Sequence, residues 1–182
     1  MTLVFLDRDG VINRFPGKGA YVTRSSELEI FPQALDAIKK MTDAGYELVV
    51  ISNQGCVSRG LLTKKSLDRM TRLMLQKIRY SGGQIRKVYY CVHQASDRCD
   101  CKKPKTLLLK KALKRRRLQR SKLFFIGDSE EDLRTAKNFG CRSILVLSGR
   151  LKKRDLPKLP IKPDEVKKDL REAAEWLLGL KS

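Results

Sequence analysis

The sequence predicts an α/β domain built on a doubly wound, mostly parallel sheet, and two patterns support this prediction. Short apolar runs alternate along the chain with helix-length amphipathic stretches. The apolar runs contain few polar positions, which is typical of strands buried on both faces of a parallel sheet. A chain of 182 residues is long enough to bury a core without disulfides. We therefore expect residues 1–182 to form one domain with helices on both faces of an open sheet.

The apolar runs predict five strands, and the helical periodicity predicts five helices. The predicted strands cover residues 3–6, 48–51, 88–90, 123–126 and 144–147. The predicted helices run from Pro32 to a stop at Gly45, over 63–80, over 106–118, from Glu130 to a stop at Gly140, and over 166–178. Neither the segment 13–31 nor the gap between the second strand and residue 91 has room for a large cap domain.

Positive charge is concentrated in one part of the chain. The formal net charge is +20, and residues 61–122 hold 20 basic and three acidic residues while residues 1–60 are neutral. Such an excess suggests nucleic acid as a partner. A solvated helix face is the favoured explanation of the basic residues from 110 to 120, and residues 91–123 contain no aromatic side chain that could stack on bases. Nucleic acid is therefore a possible partner but not the favoured one.

Composition also indicates the cellular compartment of the protein and the use of its cysteines. No apolar run is long enough to cross a bilayer, so no membrane partner is expected. The sequence starts without a basic leader and a long apolar segment, which predicts a cytoplasmic protein, and we expect a monomer. Five cysteines do not indicate a disulfide framework, and in a reducing compartment clustered cysteines indicate metal ligands first.

Acidic and hydroxyl side chains follow three of the predicted strands. Asp7 and Asp9 follow the first strand, Ser52 the second and Asp128 the fourth. The carboxyl ends of parallel strands form one edge, which is where open α/β sheets bind their ligands. Carboxylates collected there would repel one another without a hard divalent cation, and oxygen ligands of this kind suit Mg²⁺.

Structural alternatives exist for several of these residues. Asp7 and Asp9 could form a turn with Gly10, although two carboxylates directly after a buried strand are a poor choice for a turn. The pair after the second strand could be a helix cap. Asp132 is left outside the catalytic set because Ser129 and Asp132 also form the pattern of a capping box.

Three cysteines and the only histidine lie within eleven residues, at 91–101. Cys91, His93, Cys99 and Cys101 have the spacing C-x-H, five residues, C-x-C. A Cys₃His set is a closed tetrahedral site for structural Zn²⁺, with no open position for water. A disulfide and the chance clustering of buried thiols are the alternatives, and the compartment and the polar loop disfavour them.

Four motifs together resemble the haloacid dehalogenase superfamily of phosphohydrolases. They are D-x-D-G-V at 7–11, the strand-end Ser52, Lys103-Pro104, and G-D-x-x-x-D at 127–132, in the order typical of that superfamily. The cysteine loop and the basic pair after it resemble the zinc-containing branch, which includes heptose bisphosphate and histidinol-phosphate phosphatases. The resemblance implies the same fold, a Mg²⁺ cofactor and a structural Zn²⁺.

The resemblance also implies roles for individual residues. Asp7 would be the nucleophile that forms an aspartyl-phosphate, and Asp9 would be the general acid and base. Mg²⁺ would be held by the carboxylates of Asp7 and Asp128 and by the backbone carbonyl of Asp9. Ser52 would bind phosphoryl oxygens and Lys103 would neutralise their charge.

Substrate contacts are predicted at Asn53, Gln54 and Lys102. Lys102 replaces the arginine that is usual in the branch, which turns a bidentate contact into a point charge. The segment 14–21 replaces a shorter loop near the substrate. We expect a small phosphorylated metabolite as substrate: a sugar bisphosphate of the heptose type first, with histidinol phosphate and a nucleic-acid 3′-phosphate as alternatives.

Overall fold

The computed structural model describes residues 1–114 and 118–180. Its centre is a sheet of six parallel strands in the order β3-β2-β1-β4-β5-β6. The strands are β1 (Thr2–Leu6), β2 (Tyr46–Asn53), β3 (Lys87–Cys91), β4 (Leu123–Gly127), β5 (Arg142–Val146) and β6 (Glu165–Lys167). The helices are α1 (Pro32–Asp43), α2 (Lys64–Tyr80), α3 (Leu107–Leu113), α4 (Glu130–Phe139) and α5 (Leu170–Gly179). The predicted α/β class and parallel sheet are confirmed.

Helices cover both faces of the sheet because successive residues of each central strand point to opposite sides. In β1, Val4 and Leu6 pack with α1, α2 and α5, whereas Leu3 and Phe5 pack with α3 and α4. All four of these side chains are fully buried. Apolar runs without alternation therefore mark strands that are covered twice.

The five predicted strands are confirmed, but the last predicted helix begins too early. Residues 165–167 form β6, which pairs with β5 at the sheet edge. Asp169 then caps α5 by accepting hydrogen bonds from the backbone N–H groups of Arg171 and Glu172. A three-residue polar edge strand carries no apolar run that would predict it.

The third predicted helix is also shorter than expected. α3 ends at Leu113, and Lys114 takes a positive φ of 56°. Residues 115–117 of the predicted helix lie outside the described residues, and Leu118 is not helical. Lys110 and Lys114 would be like charges one turn apart in a longer helix, which opposes its continuation past Leu113.

The chain order places the ligand site. From β1 the chain builds outwards through β2 and β3, then returns to add β4, β5 and β6 on the other side. The carboxyl ends of β1 and β4 flank this switch point, where open α/β sheets bind ligands. Within residues 1–114 and 118–180 no cap domain is inserted over it, and no helix there has the length and apolarity to cross a membrane.

Candidate active site

A small cavity lies at the carboxyl ends of β1, β2 and β4. Its volume is about 60 Å³. Its floor carries Asp7, Ser52 and Asp128, which are all almost completely buried. The full lining is Asp7, Asp9, Phe15, Pro16, Ala20, Tyr21, Ser52, Asn53, Lys103, Asp128, Ser129, Glu131 and Arg150. The structure thus brings together the four strand-end residues that are predicted to act on phosphate.

Two glycines let the carboxylate of Asp128 reach this floor. Gly10 has a φ of +84°, and a side chain there would collide with the Asp128 carboxylate. A side chain at Gly149 would collide with the same group. The backbone N–H of Arg150 donates a hydrogen bond of 2.6 Å to Asp128 Oδ2, which fixes the carboxylate. Close backbone approach on both sides explains why glycine occupies both positions.

Three carboxylates lie close together beneath the cavity. Oxygen atoms of Asp7, Asp128 and Asp132 all lie within 4.8 Å of one another. Burial raises the pKa of Asp7 from 3.8 to about 6, and the nearby Lys103 ammonium opposes that rise. Burial, followed by repulsion from Asp132 and Asp7, raises the pKa of Asp128 well above its usual value. These oxygen ligands repel one another and would be neutralised by a cation, so they fit a hard divalent ion such as Mg²⁺.

Lys103 reaches the same carboxylates from the loop before α3. Its side chain is 3% exposed, and Nζ lies 2.5 Å from Asp132 Oδ1 and 3.1 Å from Asp7 Oδ1. Burial acts to lower the pKa of Lys103, but Asp132 and Asp7 outweigh it and raise the pKa. The backbone N–H of Lys103 donates to Asn53 Oδ1 at 3.0 Å, which joins this loop to the end of β2. Lys103 is therefore a fixed cation beside Asp7.

Asp9 is held by its neighbour Arg8. The Arg8 guanidinium donates from Nε to Asp9 Oδ1 and from Nη2 to Asp9 Oδ2, both at 2.9 Å. Asn13 and Gln54 donate to the same carboxylate. Burial acts to raise the pKa of Asp9, but Arg8 and these hydrogen bonds hold it below its usual value. The conformation described is thus an ionised carboxylate, which suits a proton acceptor.

The three residues that were predicted to contact the substrate lie in different parts of the site. Asn53 lines the cavity and also binds the loop of Lys103. Gln54 lies behind the cavity, 1% exposed, and donates to Asp9 Oδ2 and Ser52 Oγ. Its observed contacts are with the site's own residues. Lys102 lies on an adjoining cavity of about 240 Å³.

Sequence reasoning missed the part that Asp132 plays. The capping box of α4 is real, because Ser129 and Asp132 exchange hydrogen bonds. The same Asp132 side chain also pairs with Lys103, so one carboxylate serves both the helix end and the site. Its place in the G-D-x-x-x-D motif was the available signal.

The roof of the cavity was predicted only as a loop. Phe15 and Tyr21 of the segment 14–21 line it, and Arg150 lies with its Cζ 5.1 Å from the centre of the Phe15 ring. Arg150 directly follows the turn after β5. A basic residue at the carboxyl end of a strand was the signal that could have identified it.

The predicted zinc ligands converge in the loop after β3. Cys91 Sγ lies 3.2 Å from Cys101 Sγ and 3.6 Å from Cys99 Sγ, and Cys101 Sγ lies 3.2 Å from His93 Nδ1. All four ligand atoms lie within 4.8 Å of one another. A disulfide is excluded, because its sulfur atoms would lie about 2.05 Å apart. A zinc tetrahedron with Zn–S bonds of about 2.3 Å has S···S edges near 3.8 Å, so this donor set fits Zn²⁺.

The cysteine cluster is joined to the active-site loop. Cys101 directly precedes Lys102 and Lys103. Lys105 Nζ donates to the carbonyl oxygen of Cys99 at 2.7 Å. An ion in the cluster would therefore restrain the backbone that carries Lys103.

Comparison with known proteins identifies relatives over most of the chain. The HAD-hydrolase-like family model matches residues 100–173. A D-glycero-beta-D-manno-heptose-1,7-bisphosphate 7-phosphatase from Neisseria meningitidis serogroup A is 35% identical over 153 residues, which cover 84% of this chain and 81% of the relative. A histidine biosynthesis bifunctional protein from Buchnera aphidicola is 28% identical over 98% of this chain, which spans only 50% of that longer protein.

A solved structure matches the whole fold. The D,D-heptose 1,7-bisphosphate phosphatase from B. bronchiseptica, crystallised with magnesium and phosphate, superposes with a TM-score of 0.91. It is 31% identical and the match covers 99% of both chains. The likeness therefore includes the loops as well as the sheet.

Proposed function

The chain belongs to the haloacid dehalogenase superfamily and is a phosphatase, and from that premise we propose that it hydrolyses a sugar bisphosphate of the heptose 1,7-bisphosphate type. The observation that carries the proposal is the position of Asp7, at the floor of the cavity and 3.1 Å from the Lys103 ammonium. The names of the relatives that match most of the chain support the substrate class.

Asp7 acts as the nucleophile in this proposal. One of its carboxylate oxygens attacks phosphorus, the bond from phosphorus to the sugar oxygen breaks, and Asp9 gives that oxygen its proton. A water then attacks the phosphorus of the aspartyl-phosphate while Asp9 takes a proton from it, which releases phosphate and restores Asp7. With a pKa of about 6, Asp7 is mostly ionised at neutral pH, as a nucleophile must be.

The two roles of Asp9 need different protonation states. The ion pair with Arg8 keeps Asp9 ionised, which is the state it needs before it accepts a proton from water in the second step. For the first step Asp9 must carry a proton, so its carboxyl group has to leave the Arg8 guanidinium and turn to the leaving oxygen. Arg8 is 1% exposed and held in place, so the movement belongs to Asp9.

Fixed polar groups bind the phosphoryl oxygens. Ser52 and Lys103 both line the cavity with Asp7, and Lys103 Nζ lies 3.1 Å from Asp7 Oδ1. Because Lys103 is buried and already oriented, it stabilises negative charge on the transferred group without reorganisation. Asn53 contributes by holding the Lys103 backbone.

Two metal ions complete the proposal. Asp7, Asp128 and the backbone carbonyl of Asp9 would hold Mg²⁺, which when bound offsets the repulsion between the anionic nucleophile and the anionic phosphate. Cys91, His93, Cys99 and Cys101 would hold a structural Zn²⁺. The raised pKa values of the two buried aspartates and the convergence of the three sulfur atoms, 3.2–3.6 Å apart, support these assignments.

The surroundings of the cavity favour a bisphosphate. A cavity of about 60 Å³ is small beside the pockets of about 300–1,000 Å³ that enclose whole ligands, so it encloses only part of a sugar bisphosphate. The rest of the substrate must lie near Arg150 or over the adjoining cavity, which Arg98, Lys102 and Lys105 line. These cations suit a second phosphate, whereas the ammonium group of histidinol phosphate would meet like charge.

A phosphate-release panel tests the proposal. Wild type would be assayed with heptose 1,7-bisphosphate, the matching monophosphate, histidinol phosphate and a 3′-phosphorylated oligonucleotide. Asp7→Asn controls for contaminating phosphatases, and Asp36→Asn, which removes a partly exposed acid on α1, controls for loss of one charge. We expect the largest kcat/KM for the bisphosphate. A larger value for either of the last two substrates would overturn the assigned substrate class.

A further inference from the structure

Much of the basic excess lies at one edge of the sheet. Residues 61–114, with 15 basic and three acidic residues, comprise α2, β3, the cysteine loop and α3. These elements surround β3, which is an edge strand of the sheet. On the other side, residues 123–180 carry 12 basic and ten acidic residues. The fold thus gathers these basic residues on one side of the molecule, and only some of them line the active site.

The outer surface of α2 orders these charges in a line, which we call the α2 stripe: Lys65, Arg69, Arg72, Gln76 and Arg79. All five side chains are exposed. Their spacing of four, three, four and three residues keeps them within an arc of about 80° over about 21 Å of helix. The opposite surface of α2 is fixed to the core by Leu67, Met70, Met74 and Ile78. The stripe is therefore a rigid, linear display of cations.

The cations of the α2 stripe lack carboxylate partners in the part of the chain that the structure describes. Among residues 1–114 and 118–180, none of Lys65, Arg69, Arg72 and Arg79 forms an ion pair. The helix has a single acidic residue, Asp68. Other surface helices are balanced: α1 pairs Lys39 with Asp43, and α4 pairs Arg134 with Glu130. Unbalanced charge that is held on a rigid helix favours an anionic partner with repeated charges.

We propose that the α2 stripe binds the phosphate backbone of double-stranded nucleic acid, independently of sequence and apart from the active site. Arginine, lysine and glutamine are side chains that contact backbone phosphates. One exposed aromatic, Tyr80, lies beside the stripe, and its hydroxyl accepts a hydrogen bond from Gln76 Nε2. Single strands are disfavoured, because stacking of successive bases needs several aromatic side chains. Anionic membranes are disfavoured as well, since the apolar side of α2 is buried in the core and the stripe itself has no apolar residue to insert. Backbone phosphates match both the charge and the linear arrangement.

Binding of a fluorescent duplex of about 20 base pairs, measured by anisotropy between about 50 and 200 mM salt, tests the proposal. The stripe variant is R69Q/R72Q/R79Q, which preserves helix propensity. The matched control is K153Q/R154Q/K158Q, which removes three exposed charges near β6. Both variants should keep wild-type phosphatase activity, because neither alters a residue of the cavity.

We expect the stripe variant to bind the duplex at least tenfold more weakly than wild type. The slope of log K against log salt should fall in magnitude by about 2.7, the value for three lost phosphate contacts. The control should stay within threefold of wild type. Equal losses in the two variants would assign binding to net charge alone and overturn the proposal. So would the absence of duplex binding by wild type at low salt, or a loss confined to binding of phosphatidylserine vesicles.

Discussion

Lys103 and Asp132 form a buried ion pair, with Nζ 2.5 Å from Oδ1, that joins the loop after the cysteine cluster to the first turn of α4. The other oxygen of Asp132 accepts hydrogen bonds from the backbone N–H groups of Asp128 and Ser129. One carboxylate therefore orients both the cation beside Asp7 and the strand end that carries Asp128. The precision of the site depends on a residue that need not touch the phosphate.

Replacing Asp132 with Asn should impair turnover without removing any group that reacts. The neutral amide offers the Lys103 ammonium a weaker hydrogen bond and no opposite charge, and a misplacement of about 1 Å in a catalytic group costs about 10²-fold in rate. We expect kcat to fall by that order while KM changes less. Steady-state kinetics test this, with Glu130→Gln as the control because Glu130 faces solvent and pairs with Arg134. An unchanged kcat in Asp132→Asn would contradict the claim that Asp132 positions Lys103 for turnover.

Loss of the cysteine cluster should also displace Lys103, because the cluster restrains the loop that precedes it. In Cys101→Ser we expect purified protein to lose its zinc, to unfold at a lower temperature and to turn over more slowly, because the loop before Lys103 is no longer restrained. Elemental analysis and thermal melts measure this, and wild type should hold about one zinc per chain. Cys141→Ala, at a buried thiol outside the cluster, should keep its zinc. A wild-type protein that lacks zinc would contradict the assignment.

Magnesium binding should weaken in acid. Burial raises the pKa of Asp7 to about 6, so below that pH a proton occupies the oxygen donors that the ion needs. Between about pH 3.8 and 6, Asp7 of the metal-free protein carries this proton in the folded state but not in the unfolded state. The free energy of unfolding therefore falls as pH rises through that range. Bound Mg²⁺ should reverse the loss above pH 6.

Calorimetric titration with Mg²⁺ between pH 5 and pH 7.5 measures this linkage. Affinity should fall up to about tenfold per pH unit below the pKa for each competing proton. Asp128→Asn should lose most of the binding, whereas Asp36→Asn should behave as wild type. Affinity that does not change with pH would show that Asp7 is not a ligand.

Arg150 should distinguish a bisphosphate from a monophosphate. Its exposed side chain lies over Phe15 in the outer lining of the cavity, where it can reach a phosphate that lies outside the cavity. In Arg150→Gln we expect KM for the bisphosphate to rise about tenfold or more, as a charge-assisted hydrogen bond is lost, with little change in kcat. KM for the monophosphate should change much less. Lys153→Gln is the control, and an equal rise for both substrates would assign Arg150 to binding of the transferred phosphate.

The sequence predicted the strands and the strand-end residues well because both depend on local patterns. A buried parallel strand is a continuous apolar run, and Asp7, Ser52 and Asp128 follow such runs directly. The cysteine cluster was equally accessible, since its ligands lie within eleven residues. Local sequence alone was enough to predict that these groups share one edge of the sheet.

Contacts between distant segments were not accessible in the same way. The local pattern around Asp132 indicated only a helix cap. Its pairing with Lys103 joins positions 29 residues apart, which a local pattern cannot predict. Gln54 looked like a substrate contact from its place after β2, but its side chain turns back to Asp9. β6 has three partly exposed residues and no apolar run, so only pairing with β5 defines it.

Trapping the covalent intermediate tests the central claim, that Asp7 carries the phosphoryl group. Enzyme mixed with substrate would be quenched in acid and treated with borohydride, which reduces an acyl-phosphate of aspartate to homoserine, and the peptide with residues 1–8 would be analysed by mass spectrometry. We predict homoserine at position 7 that appears only with substrate and is absent from Asp7→Asn. Substrate-dependent homoserine at any other aspartate, or active enzyme that never acquires it at position 7, would contradict the account.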